Sequence, residues 1–296
     1  MRIDLHTHTD HSDGTDSPTA LVEAAVAARL DVLAITDHDT ATGWDEAVRA
    51  VRSRGIGLVR GMEISCKHNG RSVHLLAYLP DPAYPPLLET LAAIVDGRDE
   101  RVPRMVERLR AEGIDITEED VRAQASSRPV EPGKPQIVGR PHVADALVAK
   151  GVVKHRDVAF EQYVGYSGPA YVSRPAAALP ETIEVVRAAG GVTVVAHAWG
   201  RHGRDALSAD DLALLRERGL TGLEVDHVDH DESMREELRG IARDLELVVT
   251  GSSDYHGTGK RIPIGANLTA PEEYERLVAA AESAARASGR DAPTVV

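Results

Sequence analysis

The residues able to do chemistry stand out by type and spacing. Asp4-Leu-His6-Thr-His8 closes the first apolar run. In an extended strand residues i and i+2 face the same side, so His6 and His8 can address one cation. His38 follows a second apolar run and is flanked by Asp37 and Asp39. Either carboxylate can orient the ring, while Asp39 also reads as an ordinary helix N-cap. Glu63 ends Gly-Met-Glu, His74 interrupts the apolar Val-His-Leu-Leu, and His197 ends Val-Val-Ala-His. Asp254 and His256 repeat the one-residue spacing of His6 and His8. Taken singly, these are surface histidines, a cap, a solvent-facing glutamate and, for His74, a packed core residue. Taken together, six of the thirteen histidines join Glu63 and Asp254 at or near strand ends, which no bland account explains. Imidazole with carboxylate and no thiolate suits Zn²⁺, Mn²⁺ or Fe²⁺.

The elements that position these groups alternate. Short β-branched runs predict strands over 2–5, 31–36, 57–62, 72–79, 192–196, 222–226 and 247–251. Helical patterns over 18–29, 42–54, 180–189, 209–218 and 232–245 lie between most of them, with Pro18 and Pro180 suited to a first turn. The alternation indicates an α/β fold with a largely parallel sheet. Gly55–Gly61 (GIGLVRG) fails as a dinucleotide fingerprint, because its glycines precede a strand and lack the GxGxxG spacing. A closed barrel fits better than an open sheet, since parallel strand ends then converge on one mouth. The pattern breaks between about 83 and 173, which reads as a helical insertion around the Pro- and Gly-rich loop 126–136. The expected division is 1–95 for the first part of the barrel, 96–172 for a helical cap and 173–296 for the rest.

A net charge of −13 argues against coating long duplex nucleic acid, which needs a broad basic face. It leaves room for a small anionic substrate, because bound cations reverse the field locally. The single cysteine, Cys66, rules out an internal disulfide and CxxC chemistry. No run is long enough to span a bilayer, and no leader pattern opens the chain. A cytoplasmic protein with no membrane partner is expected.

In combination, DLHTHTDHSDGT, AITDHDT, GMEIS, VHLLAY, VVAH and GSSDYHG resemble the PHP (polymerase and histidinol phosphatase) family of phosphoesterases. The resemblance implies a distorted seven-stranded β/α barrel and two to three divalent cations. It implies as ligands His6, His8, Asp13, His38, Glu63, His74, His197, Asp254 and His256. By the family pattern His6, His8, Glu63 and Asp254 share one ion, Asp13, His38 and His256 a second, and Glu63, His74 and His197 a third. Some relatives carry histidine where Asp13 stands. The harder carboxylate favours Mn²⁺ or Mg²⁺ over Zn²⁺ there; of Mn²⁺, Zn²⁺, Fe²⁺ and Mg²⁺, Mn²⁺ is preferred for the centre. Relatives have His-Pro after the fifth strand where this chain has His197-Ala198, which implies a looser loop.

GRPHVADAL and the position of the insertion resemble the subgroup of nucleoside 3′,5′-bisphosphate phosphatases and 5′→3′ exoribonucleases. The resemblance implies a small phosphorylated substrate, a nucleotide or short RNA, attacked by a metal-bound hydroxide. No GxSxG or P-loop suggests another nucleophile. Arg140 and His142 stand at a helix start that favours anions. Arg101 shares a helix with Arg98, Arg104 and Arg108, where Glu100 and Glu107 make a solvated face the simpler reading. Arg201, His202, His230 and Lys260 follow strand ends and can reach a second phosphate, and His227 or His230 can protonate the leaving group. His68 and His155 read as exposed loop histidines. Three alternatives stand beside this reading: histidinol-phosphate phosphatase, metal-dependent amidohydrolase, and a non-catalytic metal-binding module. The second lacks its bridging lysine, since Lys67 and Lys134 fall in loops. The third lacks any polymerase segment.

Overall fold

The strands are β1 (Ile3–Asp4), β2 (Val32–Ile35), β3 (Gly57–His68), β4 (Arg71–Tyr78), β5 (Ala177–Ala178), β6 (Val192–Val195), β7 (Gly222–Asp226) and β8 (Val248–Gly251). The helices are α1 (Pro18–Ala27), α2 (Trp44–Val51), α3 (Pro85–Asp99), α4 (Arg101–Ala111), α5 (Glu118–Ala125), α6 (Arg140–Ala149), α7 (Arg156–Ala159), α8 (Leu179–Ala188), α9 (Ala209–Glu217), α10 (Glu232–Asp244) and α11 (Pro271–Ser288). This computed structural model describes residues 1–99, 101–125, 138–172, 176–200 and 207–296. Arg201, His202, Glu100, Lys134 and the loop 126–136 lie outside the described residues, as does the side chain of Arg98.

The sheet runs β1-β2-β3-β4-β6-β7-β8, with β5 paired to β3. It curls until its ends meet. The Thr7–Tyr255 bridge joins the segments after β1 and β8, and the amide of His8 donates to the Tyr255 carbonyl at 2.8 Å. Tyr78 Oη donates to the Leu5 carbonyl at 2.8 Å, although β4 and β1 are not sheet neighbours. Only a rolled sheet brings them together. Alternation along the strands makes two cores. Leu33, Ile35, Leu58 and Leu75 pack outward with the surrounding helices. Val32, Ala34, Val59, Leu76 and Tyr78 face the other way with Ile3 and Leu5, and α11 adds Leu277 and Ala281 to them.

Local chemistry sets the element ends. Ser17 accepts from the Ala20 amide at 3.1 Å and Pro18 opens α1. Ser208 and Asp211 form a capping box on α9. Among the described residues no helix is long and apolar enough to cross a membrane.

The sheet departs from the expected parallel order at one place. β3 does not stop at Met62 but continues to His68, and Asn69-Gly70 turns it back into antiparallel β4. Both turn residues have positive φ, 48° and 76°, the conformation of a two-residue hairpin loop. Lys67 and His68 therefore lie on a strand rather than in a loop, and His68 Nε2 is 2.9 Å from Asp211 Oδ1. β6 is in turn antiparallel to β4.

The helices between β4 and β5 carry a third apolar cluster whose buried members all lie between Val102 and Val172, Met105, Leu109 and Leu147 among them. It faces the barrel mouth through Arg156. That guanidinium pairs with Asp145 and donates from Nη1 to the carbonyl of Asp13 at 3.3 Å.

Candidate metal centre

Glu63 is the hub of the mouth. Its Oε1 is 2.7 Å from His74 Nδ1 and 3.2 Å from His197 Nε2. Its Oε2 is 3.1 Å from His38 Nδ1, 3.2 Å from His8 Nε2 and 3.4 Å from His6 Nε2. The two oxygens thus serve two sides of the cluster. The hairpin makes this possible. Glu63 pairs with Leu76 and Ser65 with His74, so Glu63 and His74 are diagonal neighbours on one face. His74 therefore enters the mouth from the start of an antiparallel strand, where parallel strands would have used their ends.

Asp254 Oδ1 lies 3.4 Å from His8 Nε2 and 3.6 Å from His6 Nε2. Asp13 Oδ1 lies 3.2 Å from His256 Nε2. Among the described residues four overlapping groups result, each with ligand atoms within 4.8 Å of one another: His6, His8 and Asp254; His8, His38 and Glu63; His8, Asp13 and His256; Glu63, His74 and His197. His38 stands between groups, with Nε2 at 3.5 Å from Asp13 Oδ2. The chain leaves β6 at His197 with φ 30° and β8 at Asp254 with φ 51°. These left-handed conformations cost about 1 kcal/mol or more each and are characteristic of functional strand ends. Gly14 lets the Asp13 loop close, since a Cβ there would sit 2.6 Å from the His8 carbonyl oxygen.

A second ring of groups orients the first. His6 Nδ1 donates to Glu224 Oε1 at 3.1 Å, which turns the Nε2 lone pair into the cluster. His256 Nδ1 donates to the Asp254 carbonyl at 2.8 Å with the same effect. Asp37 accepts from the Thr9 amide at 2.8 Å and from Ser12 Oγ at 2.6 Å, bracing the loop that carries Asp13. Asp39 accepts from the Ser65 amide at 2.6 Å. His38 Nδ1 lies 3.4 Å from the Glu63 carbonyl oxygen, and α2 begins at Trp44 with Gly43 as its N-cap, beyond any cap by Asp39.

The donor set fits divalent cations. Burial alone would raise the Glu63 carboxyl, but His38, His74 and His6 hold it well below the usual carboxylate range. Burial likewise acts against Asp13, and His256 and His38 reverse it. Burial lowers His38 far below 6.5, keeping it a neutral donor. Burial opposes charge on His8 too, yet Asp254 and Glu63 raise that imidazole to about 9. The carboxylates thus demand positive charge where His6 Nε2 and His8 Nε2 meet at 3.0 Å, which a cation supplies.

A model of the PHP domain matches residues 4–116. A 5′-3′ exoribonuclease of Haemophilus influenzae is 32% identical over 267 residues, covering 90% of this chain and 94% of that protein. The chain belongs to the PHP family of phosphoesterases. A 3′,5′-nucleoside bisphosphate phosphatase of Chromobacterium violaceum is 32% identical over 259 residues, 87% of this chain and 88% of that one. A Bifidobacterium adolescentis protein assigned as a metal-dependent phosphoesterase superposes with TM-score 0.88 at 40% identity, covering 94% of this chain and 96% of that one. A Chromobacterium violaceum structure described as an amidohydrolase with bound sulfate superposes with TM-score 0.84 at 31% identity, covering 95% and 97%. This PHP protein is a hydrolase acting on phosphate esters, and its histidine–carboxylate cluster suits divalent metal.

A cavity of about 690 Å³ opens over the PHP centre, between the barrel loops and the helical region. Arg140 and Lys260 line it, and the Lys260 ammonium pairs with Asp254 Oδ2. Three other residues singled out in the sequence do not line it. His142 Nδ1 accepts from the Gly139 amide at 3.0 Å and caps α6. Arg101 is buried on α4, its guanidinium 5.7 Å from the Tyr171 ring. His230 Nδ1 donates to the Val225 carbonyl at 2.8 Å while Nε2 accepts from the Trp199 amide at 3.2 Å, so both nitrogens serve the backbone. That contact and the bond from Trp199 Nε1 to the Leu207 carbonyl at 2.8 Å hold Trp199 itself, while the loop 201–206 beyond it lies outside the described residues.

His227 lines the cavity instead. Its Nδ1 accepts from the Asp229 amide at 3.1 Å, and Nε2 stands 3.5 Å from Asp254 Oδ2. Glu224 and Arg156 went unnoticed in the sequence. Glu224 had a signal, a carboxylate inside the apolar strand Gly-Leu-Glu-Val; Arg156, in an ordinary polar stretch, had none.

Proposed function

We propose that this protein hydrolyses nucleoside 3′,5′-bisphosphates and short 5′-phosphorylated RNA rather than long duplexes. Support comes from one observation above all: the cavity sets Arg140, Arg156, Lys260 and Arg261 beside the metal-binding cluster, giving a second phosphate cationic partners while the first is cleaved. The names of the Haemophilus and Chromobacterium relatives agree with that substrate class. The cations, two to three with Mn²⁺ preferred, would be held by His6, His8, Asp13, His38, Glu63, His74, His197, Asp254 and His256. When bound, they activate water, neutralise phosphoryl oxygens and favour in-line attack.

The chain's own side chains supply the rest. Arg140 holds the distal phosphate. Glu224 and the Asp254 carbonyl fix which nitrogen His6 and His256 present. With its Nδ1 accepting from the Asp229 amide, His227 carries a proton on Nε2, which stands 3.5 Å from Asp254 Oδ2 at the cavity wall, and it is the candidate donor to a phosphoryl or leaving oxygen. The helical region walls off one side and limits entry to small or end-on substrates.

Steady-state kinetics on a panel test this reading. Nucleoside 3′,5′-bisphosphate should exceed histidinol phosphate and an aryl phosphate in kcat/KM, and amide substrates should not turn over. Histidinol-phosphate turnover without bisphosphate turnover would move the assignment to that phosphatase, and amide hydrolysis to an amidohydrolase.

A further inference from the structure

The helical region builds its apolar cluster from its own residues, so links of another kind seat it on the barrel. Arg156, at the start of α7, makes one of them. Its side chain is only 12% exposed, and Asp145 of α6 holds its planar fork bidentately: Nε donates to Oδ1 at 2.7 Å and Nη2 to Oδ2. The third nitrogen, Nη1, reaches across to the barrel and donates to the Asp13 carbonyl at 3.3 Å. It also lies against the turn after β8, where a Cβ on Gly259 would stand 2.5 Å from it. That turn follows His256, and the two loops are themselves joined. The Thr15 amide donates to the His256 carbonyl at 3.2 Å, and the Thr258 amide to Thr15 Oγ1 at 2.9 Å. One guanidinium from the helical region therefore sits on the junction of the two loops that bring Asp13 Oδ1 to 3.2 Å from His256 Nε2.

We infer that Arg156 is a positioning residue for the cation of the group His8, Asp13 and His256, latching the helical region onto the loops that carry two of its three ligands. It rests on the metal-centre reading above and deepens it. A carboxylate on a loop loses conformational freedom when it binds a cation, and fixing the loop backbone beforehand removes part of that cost. Asp37 braces one side of the Asp13 loop through Ser12, and Arg156 secures the Asp13 carbonyl itself. The group Glu63, His74 and His197 takes no ligand from this junction, so its cation is independent of the latch. Arg156 also lends charge to the cavity, but charge alone does not make the latch. A lysine has one nitrogen and cannot hold Asp145 and the Asp13 carbonyl in one plane.

The test titrates the metal-stripped full chain with Mn²⁺ against a chelating dye, with no substrate present, and counts bound ions by elemental analysis. Arg156→Met and Arg156→Lys should each weaken the same single ion by about 10-fold or more, leaving the others within about twofold. Asp13→Ala removes a ligand outright and marks which ion that is; adding Arg156→Met to it should change the remaining affinities no further. Asp145→Asn leaves the arginine in place but loosens its fork, and should show the same selective loss in weaker form. Full Mn²⁺ affinity in either arginine variant overturns the latch while leaving the metal centre intact. An equal weakening of every ion, with a matching fall in the Tm of the metal-free protein, also overturns it and makes Arg156 a general support of the fold. A wild-type chain that binds no Mn²⁺ overturns the metal-centre reading, and the latch with it.

Discussion

Nδ1 of His6 meets Oε1 of Glu224 at 3.1 Å, with both side chains fully buried. Glu224 Oε2 also accepts from the His197 amide at 2.8 Å, and its other oxygen accepts from Ser252 Oγ. Burial would raise this carboxyl, but His6 and its neighbours hold it at about 2, so it stays ionised. One carboxylate outside the ligand set therefore orients a ligand ring and anchors the strand end of another. Glu224→Gln should weaken divalent-metal affinity by about 10- to 100-fold, read by titration against a chelating dye. Unchanged affinity would reduce Glu224 to a packing residue.

Purified protein should carry two to three divalent ions per chain by elemental analysis. EDTA should abolish phosphatase activity, and Mn²⁺ should restore it best. Because the ligands come from separate strands, metal should also raise Tm, by about 2.7 kcal/mol of stability per site at a free concentration 100-fold above Kd. A metal-free preparation with full activity would sink the cluster's catalytic role.

Arg140→Ala should cost about 1.5–3 kcal/mol in kcat/KM on a nucleoside bisphosphate, the loss of a charged hydrogen bond. An aryl phosphate has no second phosphate to hold and should be affected much less. Equal losses on the two substrates would assign Arg140 to the metal centre or to the fold.

His227 and His230 should separate cleanly. His227→Ala removes the candidate proton donor at the cavity wall and should lower kcat by about 100-fold with metal content intact. His230→Ala removes the links to Val225 and Trp199, so it should lower Tm by a few degrees. The opposite pattern in kinetics and calorimetry would exchange the two roles.

Asp211 ties α9 to the β3–β4 hairpin through His68 Nε2 at 2.9 Å and Asn69 Nδ2 at 3.2 Å, besides closing its own cap. Burial works against its charge, but His68 and Ser208 bring the carboxyl down from 3.8 to about 2. A depressed carboxyl stabilises the fold above its unfolded value and loses that contribution as pH falls toward the folded one. Asp211→Asn should therefore cost about 1 kcal/mol near neutrality, a difference that shrinks between pH 3.8 and about 2. Urea melts of both proteins across that range check it, and a pH-independent difference would remove the ionic contribution.

Much of the fold was legible because it depends on local periodicity. Strand over 222–226 matches β7 residue for residue, and the helical start at Pro18 follows from its ring and the Ser17 cap. The hairpin had a signal too, the turn pair Asn69-Gly70, but alternation elsewhere favoured a parallel reading. β5 was not, since two alanines carry no pattern of their own and pair with Cys66 and Lys67 only because the chain returns there.

Of the centre, the amino-acid sequence by itself determined which donor types sit near which strand ends: imidazoles and carboxylates, without thiolate. Tertiary structure decided how they face one another. Glu63 reaches both sides of the cluster because a hairpin places His74 diagonally across from it. His227 rather than His230 lines the cavity because two backbone groups occupy both His230 nitrogens. Such choices depend on hydrogen bonds between residues far apart in the chain, and spacing along one strand cannot encode them.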